Sequence, residues 1–166
     1  MFALKPISRD SVAGALAKAE RYRLLNEPNE AESICHDILE VDPENQQALI
    51  SLALALTDEI PHDPRAFAKA LATSARLAAV YDRAYYAGIA WERRAKAYHY
   101  GSGHASRHHA YEWMVEALRL FEEAERHGAH GNDDAVLRWN ACVRFLSRHK
   151  ELAPGGEEVS EPILSE

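Results

Sequence analysis

The order of apolar and polar residues predicts helices along most of the chain. Val12, Leu16, Ala19, Tyr22 and Leu25 recur at three- and four-residue steps, the spacing of one helix face. Ala31, Ile34, Cys35, Ile38 and Leu39 repeat that spacing in a second helix. Asn26-Glu27-Pro28-Asn29 separates the two, and Pro28 suits a first helical turn, where its missing N–H costs little. Asp42-Pro43 ends the second, because a residue before proline is pushed out of the helical region. A third helix is predicted over 43–59, up to the break Ile60-Pro61-His62-Asp63-Pro64. A fourth, with Phe67, Leu71, Leu77 and Val80 as its stripe, is predicted over 65–81, and a fifth over 82–100. After Gly101-Ser102-Gly103 a sixth is predicted over 106–127. Asn132 is a suitable cap for a seventh, which runs to about 149 with Asp133 and Asp134 in its first turn. Leu137, Ala141, Phe145 and Leu146 are expected to face inward. Residues 1–7 read as an extended lead. Residues 151–166 read as an acidic tail too poor in apolar residues to order itself.

Certain residues fall at fixed offsets. Ala19, Tyr22, Ala31 and Pro43 mark one unit, and a shift of 34 residues carries Lys18, Ala19 and Tyr22 onto Leu52, Ala53 and Leu56. Trp91-Glu92-Arg93-Arg94-Ala95-Lys96-Ala97-Tyr98 opens a third unit, with Arg94 in a leucine position. Ala117, Phe121 and Ala124 follow in its second helix. This resembles the tetratricopeptide repeat, W-x2-L-G-x2-Y, then A-x3-F, then P, over about 34 residues. Gly131-Asn132-Asp133-Asp134 and Arg138-Trp139-Asn140 are also similar to segments of uncharacterised bacterial tetratricopeptide-repeat proteins. The resemblance implies an all-α, right-handed solenoid of antiparallel helix pairs over residues 8–150. It would have about seven helices, the last capping the stack. It further implies a scaffold or adaptor without catalytic activity that binds a peptide or protein in its concave groove.

Composition narrows the partners. The formal charge is −7, and no basic cluster dominates, so nucleic acid is not an expected ligand. No apolar run approaches the ~18 residues of a membrane span. The start, MFALKPISRD, lacks a long apolar core after a basic lead, so a secretion signal is not expected. Cys35 and Cys142 lie inside helical patterns without paired spacing, as reduced thiols of a cytoplasmic protein would. No cofactor is expected.

In the repeat phasing, the first helix of each pair lines the groove. That places Leu16, Glu20, Arg23 and Leu24 there, then Gln47, Ile50, Ser51, Leu54 and Asp58, then Glu92, Arg93, Lys96 and His99. Arg138, Trp139 and Cys142 follow on the seventh helix. Arg93, Lys96 and Arg138 suit an acidic or C-terminal carboxylate, since Arg can give two parallel charge-assisted bonds. Trp139 suits a flat apolar contact. Glu92 and Lys96 also have the spacing of an ordinary helix ion pair. Chaperone-binding tetratricopeptide domains clamp a carboxylate with Lys and Asn on their first helices. Leu16, Glu20 and Ser51 stand at those positions here and cannot. A homodimer through apolar end surfaces is a further expectation. So is docking of the chain's own Ile163-Leu164-Ser165-Glu166 end in the groove. The rival from another class is a His-rich metal-binding protein or metalloenzyme. Its candidate ligands are His104, His108 and His109, with His99 nearby.

Overall fold

The structure is a computed structural model that describes residues 2–101 and 107–154, with only the backbone at Arg107 and His108. It is all-α, and among the described residues there is no strand. Among the described residues seven α-helices follow one another: α1 (Val12–Leu24), α2 (Pro28–Val41), α3 (Gln46–Glu59), α4 (Ala66–Ala75), α5 (Val80–Gly101), α6 (Arg107–His127) and α7 (Asp134–Arg148). Short 3-10 turns at Arg9–Ser11 and Lys150–Leu152 flank them. Each helix packs on the next, and α3 also touches α1 and α5.

Local chemistry fixes most boundaries. Asn26, at φ 60°, closes α1 in the left-handed region that Asn tolerates. The Glu27 N–H reaches the Tyr22 carbonyl at 2.9 Å and the Asn26 N–H reaches that of Arg23 at 3.0 Å, the paired bonds of a Schellman end. Pro28 then starts α2. The third helix begins at Gln46, not at 43. Residues 42–45 form a turn instead, and Asn45 Oδ1 accepts the Ala48 N–H at 2.9 Å as a true N-cap.

The fourth helix is much shorter than its pattern predicts. It stops at Ala75, and Val80 and Tyr81 belong to α5. No glycine or proline marks the break; distant side chains hold it. Gln46 Oε1 accepts the Ala78 N–H at 2.7 Å, and the Arg76 guanidinium donates to the Pro43 carbonyl at 2.8 Å. Arg83 Nη1 donates to the carbonyls of Leu77 and Ala78. Leu77 itself is buried. The seventh helix starts at Asp134, two residues after Asn132. The Asn132 side chain accepts the Asp134 N–H at 3.1 Å in a turn leading into the helix.

Among the described residues the core forms two large clusters and a small third one of Ala84, Ala124 and Ala135. The first cluster joins Ala19, Ala31, Cys35, Leu52, Ala55, Leu56, Ala70 and Ala90, all small or aliphatic. The second is built on Ile89, Met114, Phe121, Cys142 and Phe145, with Tyr85, Trp91, Tyr98 and Trp113 packed around it. Ala19 and Ala53 are fully buried. Leu137 is not inward: it is 63% exposed, and Ala135, Cys142 and Phe145 form the buried face of α7. The packed body also reaches past residue 150. Leu152 is buried in the second cluster, although it falls in the segment read from composition as tail.

Candidate functional site

The cations predicted to line the groove do come together, but they arrive already paired. Arg23 on α1 donates through Nε to Asp58 Oδ2 at 3.0 Å, and Arg93 on α5 pairs with the other oxygen of the same carboxylate. Asp58 on α3 therefore ties the first, third and fifth helices. Glu92, the residue preceding Arg93, plays the same role. Lys96 Nζ donates to Glu92 Oε1 at 2.5 Å, and Arg138 Nη1 on α7 donates to Oε2 at 3.2 Å.

Glu92 was expected on the groove surface, and that expectation is corrected. Its side chain is 2% exposed, and it is a buried bridge between two helices. A buried carboxylate needs partners on both oxygens, and Lys96 and Arg138 supply them. The Glu92–Lys96 spacing along α5 was legible; the third partner, 46 residues away, was not. Asp58 was placed at the groove by phasing, but nothing local marked it as the hub for two arginines.

The charges do not cancel. Four cations, Arg23, Arg93, Lys96 and Arg138, surround two carboxylates, so the paired set carries 4 − 2 = +2. Glu20, exposed one turn before Arg23, lies within electrostatic reach of it and offsets part of this. The surplus registers at Arg93. Burial first, then the like charges of Arg138 and Arg23, pull its pKa down to about 10, which leaves it charged at neutral pH. At Arg138 burial pulls the pKa down, but Glu92 and Tyr85 outweigh it and the net shift is upward.

Beside these pairs lies an open cleft of about 490 Å³. Asp58, Arg93, Lys96 and Tyr100 line it, with Asn26 from the left-handed end of α1 and Pro61 from the α3–α4 connection. Tyr100, 72% exposed, was not anticipated, because its side chain lies off the apolar stripe of α5. Gln47 and Glu20 are exposed on α3 and α1. Trp139 is 39% exposed. Cys142, one turn after Arg138, is buried instead of facing the groove, and burial pushes its thiol up to about 12. Cys35 is raised to about 12 for the same reason, so neither thiol is a nucleophile at neutral pH.

Among the histidines named from sequence, His104 lies outside the described residues, as does the side chain of His108. His109 is on the first turn of α6, its ring stacked 5.8 Å from that of Trp113 and its Nδ1 3.4 Å from Glu112. Nearby, Arg94 takes the leucine position of the third unit by lying between two rings. Its guanidinium is 4.1 Å from the centroid of Phe67 on α4 and 4.0 Å from that of Trp113 on α6.

Comparison with protein-family models, with curated proteins and with solved structures found no match to this chain. Among the described residues, no helix is long and apolar enough to cross a membrane.

Proposed function

We propose that the chain is a helical-repeat interaction module of the tetratricopeptide kind, without catalytic activity, working in the cytoplasm. Its odd-numbered helices form the inner face of a short right-handed solenoid. That face binds a partner protein or peptide through an acidic side chain or a C-terminal carboxylate. The observation that carries this reading is the unbalanced charge: four cations fastened around two carboxylates, beside an open cleft, in a protein of net charge −7. Pairing makes these cations better receptors, because Asp58 and Glu92 hold them in place before a ligand arrives and lower the ordering cost of binding. Arg93 and Lys96 face the cleft, and Tyr100 supplies a flat surface beside them. Sequential helix packing, with small residues such as Ala19 and Ala53 buried in it, supports the repeat architecture.

The test is binding of peptide pools with free carboxyl ends against the same pools amidated, with wild type and Arg93→Gln. Amidation and Arg93→Gln are each expected to weaken binding by roughly tenfold, the loss of about one charged hydrogen bond. Equal binding of free and amidated pools, unaltered by Arg93→Gln, would place the partner surface elsewhere. Arg138 is unsuited to this test, since removing it strands Glu92.

A further inference from the structure

Three pieces of chain converge on a spot outside the groove's ion pairs. His99 stands on the last turn of α5, His149 at the end of α7, and Glu151 in the 3-10 turn that follows. All three are half-buried, and their donor atoms lie within 4.8 Å of one another. The two imidazole centroids are 4.3 Å apart, and His149 Nδ1 is 3.2 Å from Glu151 Oε1. The spot is held firmly. The backbone N–H of His149 bonds to the carbonyls of Phe145 and Leu146. Leu152, 1% exposed, pins the turn that carries Glu151. Phe145 packs against both rings, with centroids 5.5 Å from His99 and 4.5 Å from His149.

We propose that His99, His149 and Glu151 form a binding site for a borderline-soft divalent metal ion, zinc foremost. Two imidazole nitrogens and one carboxylate oxygen are a donor set that zinc takes, whereas calcium and magnesium prefer oxygen alone. Bonds of about 2.1 Å put the corners of a tetrahedral site about 3.4 Å apart. The His149–Glu151 edge already has about that length, so His99 is the side chain that must close in. Lys96, one turn before His99, is committed to Glu92, with its ammonium 5.7 Å from the Phe145 centroid. Three protein donors leave one position of the ion for water or an incoming ligand. The site differs from the His104–His108 pair to which helical spacing points, and it stands independently of the carboxylate-binding reading.

Full-length protein is purified without a histidine tag, stripped with chelator, and titrated with zinc against a chromophoric competitor. Cobalt is added in parallel, because its visible spectrum reports nitrogen and oxygen ligands. The expected result is about one zinc per chain, weakened at least about tenfold by His99→Gln and by His149→Gln. Glu151→Gln keeps the size of a half-buried side chain and removes only its charge; it too is expected to weaken zinc. Thermal melts of each stripped variant separate lost binding from lost folding. The proposal is overturned if no zinc binds. It is also overturned if binding survives all three substitutions, or disappears with His104→Ala plus His108→Ala while His99→Gln has no effect.

Discussion

The two halves of the molecule pack by different means. From α1 to α4, small residues let helices approach closely: Ala19, Ala31, Ala55 and Ala70 fill the contacts, and the fully packed side chains are aliphatic or small, with Tyr22 and Phe67 only at the margin. From α5 to α7, buried alanines such as Ala95, Ala110 and Ala117 remain, but bulky side chains join them. Phe121 is fully buried, and Met114, Phe145 and a ring of tyrosines and tryptophans gather with it. A close-packed stack of small residues spreads its stability over many modest contacts. An aromatic core concentrates it in a few side chains. The charged cluster draws Glu92, Arg93, Lys96 and Arg138 from the second half and reaches back to the first through Asp58 and Arg23.

The comparison is tested most severely at Phe121. Phe121→Ala is expected to cost about 4 kcal/mol by urea unfolding, more than any single alanine-row position in the first half can lose. A loss under about 2 kcal/mol would mean that the aromatic cluster is not the anchor. Next is Glu92→Ala, which strands Lys96 and Arg138. A fully buried pair costs about 3–5 kcal/mol when one partner goes. Here each cation keeps about a third of its side chain in solvent, so about 2–3 kcal/mol is expected. Asp58→Ala should cost less, since Asp58 is itself 20% exposed.

Smaller, but more telling in sign, is one substitution made in both halves. Gly14 on α1 has open space where a Cβ would go, so Gly14→Ala is expected to stabilise by up to about 1 kcal/mol. Gly88 on α5 lies under the Phe121 ring, where a Cβ would meet Cε1 at 2.7 Å and Cδ1 at 3.0 Å. Gly88→Ala is therefore expected to destabilise by about 1–2 kcal/mol despite its better helix propensity. Parallel thermal melts check both, and equal signs would erase the distinction between the halves. The smallest effect is with pH. Cys35 and Cys142, one per half, ionise near 9 when unfolded but about 12 when buried. Above pH 9 the unfolded chain holds fewer protons than the folded one, so stability falls as pH rises. Over the first half pH unit above that point the fall is under about 1 kcal/mol per thiol. Cys35→Ala and Cys142→Ala should each remove their share of that slope in pH-dependent urea unfolding.

Periodicity alone carried the all-α reading and most helix limits, because amphipathic spacing and Pro–Asp punctuation are local signals. The close of α1 was legible in Asn26-Glu27-Pro28 for the same reason. The end of α4 was not. Its stop is imposed by Gln46 and Arg83 reaching from other helices, and the intervening Arg76 to Ala79 look as helical as their neighbours. Repeat phasing grouped Arg23, Asp58, Arg93, Lys96 and Arg138 as expected groove positions, but it gave no sign of their pairing. Asp58 gathers both of its cations, and Glu92 one of its two, from helices that only folding brings together. Glu151 was hidden differently. It sits at the edge of an acid-rich, apolar-poor segment, and only the burial of Leu152 beside it reveals an ordered turn.

Arg94 has a consequence for how the molecule responds to ionic strength. Salt weakens the partly exposed bridges at Asp58 and lessens their hold across α1, α3 and α5. A guanidinium clasped between two rings is worn down far less, because much of its hold is contact and desolvation. Concentrated salt should therefore slacken the mouth of the cleft while α4, α5 and α6 stay riveted to one another, leaving the protein folded but the cleft less firmly framed.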